Sequence, residues 1–347
     1  MRCRTIHCPV TLAVLICMSS SSFAIHNGRL ERIIQLHGLP DAEVPVVTAV
    51  SIQPGGDLLA TAGDDHAARL WNVSDGSLVR ELRGHQDWVT AVVFSPDGSQ
   101  LITGGRDRKV FVWDVATGAI RHTLGQHQHP ILRIAVSAEQ DIVAVTGFRA
   151  PLKVYDLRTG RLQGSLNCPC NDIRAIAFSP DMRFIAAGGR SGKIRVWNLK
   201  QGEKLDIDAH AGRISAVAFV DDNRLLSAGQ DVVIQMWDAG NGSKITDFMG
   251  ESGKVLSMTM LGEEQFATAS ADNLIRLYRL NSAQPISILR GHTGSIATLD
   301  FHDNTLISGS FDTTVRVWEM LEQDASTREI RATRALPTVS SDGLAHD

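Results

Sequence analysis

Apolar and polar residues alternate in short runs along most of the chain. The segment WVTAVVFS (88–95) has the two-residue period of a β-strand, and QLITGG (100–105), KVFVWDV (109–115) and AIRHTL (119–124) follow it as further strand candidates. The turn sequences SPDG (95–98) and ATG (116–118) lie between them. The pattern therefore predicts four short antiparallel strands within about 41 residues.

The same pattern occurs seven times. Each copy places an aromatic residue in its third predicted strand, and successive aromatic residues are 42, 42, 42, 40, 41 and 40 positions apart. Such a period is typical of repeat architectures in which each unit is one supersecondary structure. The seven aromatic residues are Trp71, Trp113, Tyr155, Trp197, Trp237, Tyr278 and Trp318.

One four-stranded sheet of this size cannot bury its own faces. Radial packing of the sheets covers those faces and leaves only short edges, which is the solution of a β-propeller. We therefore predict an all-β fold, a seven-bladed β-propeller of four-stranded antiparallel blades that spans residues 25–319.

Two recurrent dipeptides sharpen this prediction. Gly-His occurs at Gly84-His85 and Gly291-His292, and Trp-Asp occurs at Trp113-Asp114 and Trp237-Asp238. With the repeat length, these residues make residues 28–319 resemble the WD40-repeat (WD-repeat) β-propeller family. The resemblance implies a propeller that serves as a protein interaction scaffold without a cofactor.

The last repeat lacks a fourth strand after Glu319. The segment NGRLERIIQL (27–36) precedes the first full unit and resembles a fourth strand, as in TGRLQGSL (159–166). In the WD40-repeat family an N-terminal strand usually completes the final blade. We therefore expect Leu30–Leu36 to pair with the strand around Val315–Trp318 and close the ring.

The two termini differ from the repeats. Residues 1–24 combine Arg2 and Arg4 with a short apolar run and a small-residue end, the pattern of a cleaved signal peptide. We expect an exported protein, periplasmic or extracellular, with a cytoplasmic protein as the alternative. Residues 320–347 have little apolar content and are expected to form a disordered tail.

Charge and cysteine content narrow the possible partners. The formal charge is −4, and without residues 1–24 the chain keeps 32 basic against 38 acidic residues, a charge of −6. This balance argues against nucleic-acid binding, and the apolar run at the N-terminus is too short for a membrane span. Cys168 and Cys170 are expected to be free thiols, with a redox pair or half of a metal site as alternatives.

A histidine, serine and aspartate in the last repeat raise the question of a catalytic triad. The resemblance instead implies a structural tetrad of His292, Ser310, Asp312 and Trp318, which recurs in decayed form elsewhere. Recurrence favours the structural interpretation, and the sequence holds neither a nucleophile elbow nor a metal motif. Partial tetrads lacking the serine, with Gly105 and Gly229 in its place, are His85, Asp107 and Trp113, and His210, Asp231 and Trp237.

The positions that face partners in the WD40-repeat family predict a binding surface. Several are basic although the chain is acidic, which favours an acidic protein or peptide partner bound by a monomeric propeller. The alternative is an enzyme or small-ligand binder that uses the central channel. The predicted surface consists of Trp88, Arg106, Leu132, Phe148, Arg174, Arg190, Arg213, Lys254 and Phe311.

Overall fold

The computed structural model describes residues 25–35, 44–137, 141–170 and 172–322. Within these ranges the chain forms 28 strands and no helix. The strands make seven four-stranded antiparallel sheets, as the repeat predicted. The predicted signal peptide and the chain beyond Glu322 lie outside the described residues.

Each of blades one to six is built from four consecutive strands. Blade one contains β2 to β5, at Val47–Ile52, Leu58–Gly63, Ala67–Asn72 and Leu78–Arg83. Blade two contains β6 to β9, at Val89–Phe94, Gln100–Gly105, Val110–Asp114 and Ile120–Thr123. Blade three contains β10 to β13, at Ile131–Val136, Ile142–Gly147, Leu152–Asp156 and Leu162–Leu166.

The following three blades have the same order. Blade four contains β14 to β17, at Ile173–Phe178, Phe184–Gly189, Lys193–Asn198 and Lys204–Asp208. Blade five contains β18 to β21, at Ile214–Phe219, Arg224–Gly229, Ile234–Asp238 and Lys244–Phe248. Blade six contains β22 to β25, at Val255–Met260, Gln265–Ser270, Ile275–Arg279 and Pro285–Leu289.

Blade seven joins the two ends of the chain. It contains β26 (Ile296–His302), β27 (Thr305–Ser310), β28 (Thr314–Glu322) and, as its outer strand, β1 (Ile25–Gln35). Leu30 lies opposite Trp318 and Ile34 opposite Val315, so the predicted closure is confirmed. Leu36, the last residue of the predicted strand, lies outside the described residues.

The propeller extends beyond its predicted C-terminal boundary. We expected a tail from residue 320, but β28 continues to Glu322. Met320 is buried, and its backbone N–H donates to the carbonyl of Asn304 at 2.7 Å. The long outer strand β1 gives residues 320–322 a pairing partner, which the local sequence does not reveal.

The core lies between neighbouring blades. One cluster joins Leu70 of blade one to Phe94 and Trp113 of blade two, and another joins Val196 of blade four to Phe219 and Trp237 of blade five. Each sheet therefore buries its faces against the next sheet, and the innermost strand of each blade borders the channel.

Candidate functional site

A hydrogen-bonded tetrad connects the loop before blade seven with its second and third strands. His292 Nδ1 lies 2.8 Å from Asp312 Oδ2, and His292 Nε2 lies 2.8 Å from Ser308 Oγ. The indole N–H of Trp318 donates to the same Ser308 Oγ at 2.9 Å. Because the indole only donates and the carboxylate only accepts, serine and histidine bridge them.

The tetrad serine is Ser308, and the prediction of Ser310 is wrong. The Ser310 hydroxyl donates to the carbonyls of Gly294 at 2.9 Å and Ser295 at 3.1 Å, and it accepts the backbone N–H of Asp312 at 3.1 Å. Side chains on a strand alternate between faces, so these two serines point to the same face and alternation cannot distinguish them. Ser308 lies two residues before Ser310 along β27, and this position places its hydroxyl beside the His292 ring.

The same correction makes the two partial tetrads complete. In blade two, Thr103 Oγ1 lies 2.8 Å from His85 Nε2 and accepts the Trp113 indole N–H at 2.8 Å. A Cβ added at Gly105 would lie 2.6 Å from Asp107 Oδ1, so this glycine leaves room for the aspartate. The predicted absence of a hydroxyl in this blade was therefore wrong.

Blade five repeats this arrangement. Ser227 Oγ lies 2.7 Å from His210 Nε2 and accepts the Trp237 indole N–H at 2.9 Å. His210 Nδ1 lies 2.9 Å from Asp231 Oδ2. In blades two, five and seven, the hydroxyl residue is ten positions before the tryptophan.

Blade six uses a different buried network, which the sequence analysis missed. Glu251, whose side chain has no exposed surface, stands 27 residues before Tyr278, as His210 stands 27 before Trp237. Its carboxylate accepts hydrogen bonds from Thr268 at 2.5 Å and Ser270 at 2.6 Å. Arg276 lies 3.1 Å from Glu251 and 2.6 Å from Asp272, so it joins the two carboxylates.

Blade four has cysteines at the corresponding place. Cys170 stands 27 residues before Trp197 and is bonded to Cys168 in a disulfide, so the expectation of two free thiols was wrong. Their Cα atoms are 5.1 Å apart, within the range that a disulfide spans.

The tetrads of blades five and seven favour the neutral form of their histidines, because burial lowers the pKa of His210 and of His292. Burial lowers the pKa of His292 below its usual range, and the Asp312 carboxylate only partly offsets this effect. Burial alone would raise the pKa of Asp312, but hydrogen bonds from Thr314, the Thr293 backbone and His292 lower it to about 2. The trio of serine, histidine and aspartate thus lies inside a structural network that ends on the Trp318 indole, unlike an accessible catalytic triad.

A β-bulge in each innermost strand shapes one mouth of the channel. In all seven blades the register shifts directly after the first paired residue of that strand. The residue at the shift lines the mouth in every blade. These residues are Thr48, Thr90, Leu132, Arg174, Ser215, Leu256 and Ala297.

Six of the nine predicted surface residues meet at this mouth. It encloses about 300 Å³. None of the described residues that line it is acidic. The six are Trp88, Arg106, Leu132, Arg174, Arg213 and Phe311.

The structure adds Arg133 to this group. Arg133 occupies a position where blades one, two, four and five have alanine, and this departure from the repeat was the sequence signal that could have identified it. Burial, followed by repulsion from Arg174, lowers the pKa of Arg133 to about 10. The pKa of Arg174 is also lowered, by burial and then by Arg213, with a smaller contribution from Arg106. With a pKa of about 10, Arg133 stays charged at neutral pH.

Aromatic groups border the charged mouth. The guanidinium carbon of Arg106 lies 3.8 Å from the Trp88 ring centroid, a cation–π contact that fixes its orientation. The Phe311 side chain is 51% exposed. The mouth therefore offers positive charge and apolar surface together.

Phe148, Arg190 and Lys254 do not line the mouth. Arg190 lines a separate cleft together with Arg149 and Cys168. The ring of Phe148 lies 5.4 Å from the Arg149 guanidinium carbon, and Lys254 is exposed. These three residues occupy the same kinds of repeat position as the other six, but the structure does not bring them together with those six.

The central channel has few groups for chemistry. Asp300 is the one acidic residue among the described residues that line it. Its carboxylate accepts the backbone N–H of Ile52 at 2.8 Å and of Phe301 at 2.9 Å. Among the described residues no cluster of three or more histidine, cysteine or carboxylate side chains is placed to hold a metal ion.

Comparison with known families agrees with this architecture. A family model described as IFT122 first beta-propeller matches residues 46–259, and one described as WD domain, G-beta repeat, matches residues 283–319. The chain therefore belongs to the WD40-repeat β-propeller family. Propellers of this kind are typical protein-interaction scaffolds and are generally non-catalytic. No curated protein matches the chain.

Over the described residues no helix is both long and apolar enough to cross a membrane.

Proposed function

We propose that the protein is an exported, monomeric scaffold that binds an acidic segment of a partner protein at the arginine-lined mouth of its channel. The observation that carries the proposal is the convergence of Arg106, Arg133, Arg174 and Arg213 in one cavity. Burial and then repulsion from Arg213 lower the pKa of Arg174, and Asp172, 3.9 Å away, offsets only part of this effect. A carboxylate-rich ligand would relieve that repulsion.

The shape of the mouth favours a peptide. Trp88 and Phe311 at its border provide apolar contact area, and tryptophan and arginine are frequent hot-spot residues in protein interfaces. The mouth opens at one face of the ring, so a chain segment can enter it without unfolding the propeller. Specificity would arise from acidic side chains flanked by apolar ones.

Binding of a labelled peptide tests the proposal. We expect a fluorescein-labelled glutamate-rich peptide to bind the wild-type propeller, with an affinity that falls as salt rises. A matched peptide with glutamine at every glutamate position should bind much more weakly. Arg174→Glu and Arg213→Glu should each reduce affinity at least tenfold, measured by fluorescence anisotropy.

Lys254→Glu provides a matched control. Lys254 is exposed and does not line the mouth, so the same reversal of charge there should change affinity less than twofold. Equal losses for Lys254→Glu and Arg213→Glu would mean that only net charge matters and would refute a defined site. The native partner is then sought by affinity purification of the mature protein with both variants in parallel.

Export and oligomeric state need separate measurements. The signal-like residues 1–24 predict that the mature protein begins at Ile25 and leaves the cytoplasm. Cell fractionation with N-terminal sequencing should find this end, whereas a cytoplasmic protein that retains Met1 would contradict export. Sedimentation equilibrium should give the mass of one chain.

An enzyme or small-ligand binder that uses the channel is the alternative function. It requires convergent acids or metal ligands on the innermost strands. Asp300 instead bonds two backbone N–H groups of the ring itself. This use of Asp300 within the ring therefore favours a scaffold over an enzyme or small-ligand binder.

A further inference from the structure

The disulfide between Cys168 and Cys170 lies at the border of blades three and four. It belongs to the connection between β13 and β14, where blades two, five and seven have a tetrad histidine. The hydroxyl position of those tetrads is Ala187 in blade four, ten residues before Trp197. Cys170 Sγ lies 3.4 Å from the Ala187 carbonyl oxygen, so it lies beside the residue that corresponds to the tetrad hydroxyl.

This disulfide adds little as a cross-link. Only Pro169 separates the two cysteines, and the stabilisation from closing a loop in the unfolded chain decreases as the loop shortens. Cys170 also packs with Ile173, Ala187 and Trp197 in a buried cluster that does not need the S–S bond. Another role accounts better for the presence of two cysteines.

Cys168 and Cys170 differ in solvent exposure. Cys170 has no exposed surface, whereas Cys168 is partly exposed and lines the cleft that contains Arg149 and Arg190. The cleft encloses about 640 Å³, enough for a peptide segment or a small thiol. Asp172 also lines the cleft, so two guanidinium groups stand against one carboxylate there, and this excess of positive charge favours a thiolate over a thiol.

The reduced state also fits the fold. A Cys170 thiol could donate its S–H to the Ala187 carbonyl across the same 3.4 Å. A Cys168 thiol would face the cleft and its water. Both redox states therefore leave blade four without a new buried and unpaired polar group.

We propose that Cys168 and Cys170 form a thiol–disulfide exchange site for a protein that bears a pair of cysteine thiols. A partner thiolate attacks Cys168 Sγ, forms a mixed disulfide, and breaks the Cys168–Cys170 bond, with the electron pair leaving on Cys170 Sγ, which takes a proton. The second partner thiolate then attacks the partner sulfur of the mixed disulfide and releases Cys168 as a thiolate. The net result is transfer of two electrons, which oxidises the partner to a disulfide and reduces the pair. The partner thiols lose their two protons to solvent on forming thiolates, and Cys170 and then Cys168 each take up one proton from solvent.

Glutathione is the probe for the first test. The propeller is equilibrated in buffers of increasing reduced-to-oxidised glutathione ratio, and free thiols are alkylated and counted by mass spectrometry. We expect the pair to convert reversibly between disulfide and dithiol while the far-ultraviolet circular dichroism stays constant. Reduction only in denaturant, or a permanent dithiol in every buffer, would overturn the proposal.

Single-cysteine variants test which sulfur is attacked. Cys170→Ser leaves the exposed thiol and should form a mixed disulfide with oxidised glutathione at least tenfold faster than Cys168→Ser. Cys170→Ala is the second variant, in case a hydroxyl is poorly tolerated in the buried position. Equal rates in folded Cys168→Ser and Cys170→Ser, or in folded Cys168→Ala and Cys170→Ala, would refute the assigned direction of attack.

The cleft arginines provide a further readout. Arg149→Gln and Arg190→Gln should each slow the reaction of Cys170→Ser with oxidised glutathione several-fold. Arg158→Gln removes the same charge from an exposed position of blade three outside the cleft and should leave the rate unchanged. If Arg158→Gln slows the reaction as much as Arg149→Gln and Arg190→Gln do, only net charge matters and these two arginines are not part of the site.

Discussion

The carboxylate of Asp300 accepts the backbone N–H of Ile52 at 2.8 Å, although the two residues are 248 positions apart. Asp300 belongs to the innermost strand of blade seven and Ile52 to that of blade one. Thr298 and His302 make similar contacts, to the backbone N–H groups of Val50 at 3.3 Å and Gly55 at 2.9 Å. Three side chains of one strand therefore join the two blades where the ring closes.

Substitutions of Asp300 should distinguish the contribution of its hydrogen bonds to stability from the contribution of its charge. Burial raises the pKa of Asp300, so the folded state favours the protonated form. The stability that this shift contributes is complete below the unfolded value of about 3.9 and is lost as pH rises through the folded pKa. Asp300→Asn removes the charge but keeps one acceptor oxygen, whereas the N–H groups of Ile52 and Phe301 bond different oxygens of Asp300, so one of these two bonds is lost. At pH 7 we therefore expect Asp300→Asn to be more stable than Asp300→Ala. As pH falls toward 4, the stability of the wild type should increase relative to that of Asp300→Asn.

Asp300→Ala is the matched comparison. It leaves the N–H groups of Ile52 and Phe301 without this acceptor, which should cost about 1–3 kcal/mol at pH 7. Urea unfolding at several pH values measures both variants. A constant stability difference between Asp300→Asn and wild type over this pH range would contradict a raised pKa.

The two serines of β27 should differ in their contribution to stability. Ser308→Ala leaves both the Trp318 indole N–H and His292 Nε2 without their shared partner, and should cost about 2–4 kcal/mol. Ser310→Ala removes bonds to loop carbonyls that retain a second lone pair and leaves the Asp312 backbone N–H without its acceptor, and should cost about 1–2 kcal/mol. Equal losses in thermal or urea unfolding would contradict the assignment of Ser308 to the tetrad.

Asp312→Ala should destabilise the protein more than Asp272→Ala. In blade seven the change removes bonds from Thr293, Thr314 and His292 together. In blade six, Arg276 keeps Glu251 as a partner at 3.1 Å. We expect losses of about 3 and about 1 kcal/mol at pH 7, measured by urea unfolding.

Acidification should weaken the tetrad of blade seven. The lowered pKa of Asp312 gives stability that is present above the unfolded value and lost as pH falls toward about 2. The lowered pKa of His292 acts in the same direction below about 6.5, since the unfolded state binds the proton more readily. Between about pH 4 and pH 2, where Asp312 itself takes up a proton, the stability difference between wild type and Asp312→Ala should therefore shrink, and a growing difference in this range would reverse the inferred sign.

Removing β1 should open the ring. Ile34 of this strand is buried with Val47 of blade one and Val315 of blade seven, so deletion of residues 25–35 exposes apolar surface of both blades. We expect a markedly lower melting temperature, with recovery when a peptide of residues 25–35 is added. Trimming only residues 1–24 is the control, and unchanged melting of the longer deletion would contradict closure by β1.

Val232 has a backbone conformation that a β-branched residue disfavours. Its φ is 57°, and the corresponding residue of blade six is Asn273 with φ 69°. Asparagine tolerates this left-handed region better than valine, so Val232→Asn should stabilise the protein by about 1 kcal/mol. The reverse change, Asn273→Val, should destabilise it by at least as much, because it also removes a bond to the Thr293 carbonyl. A stability loss for Val232→Asn would contradict this account.

Local sequence was sufficient for the blades and their order. Alternating apolar residues specify strands because side chains on a strand have a period of two, and the regular spacing from Trp71 to Trp318 specifies seven similar units. The incomplete last unit predicted the pairing of Leu30 with Trp318, since an unpaired strand edge needs a partner. The same patterns placed His292, Asp312 and Trp318 in one network.

The tertiary structure decided which side chains meet. Period two gives Ser308 and Ser310 the same face, and only their depth beside the His292 ring selects Ser308. Arg133 reaches the channel through a β-bulge, a change of register that depends on pairing between strands. Arg190 shares a sequence position with Arg106 but lines another cleft. Sequence alone therefore determined the repeated unit, because hydrogen-bonded strands follow local alternation. The arginine-lined mouth and the cysteine cleft were set by the packing of whole blades around the ring.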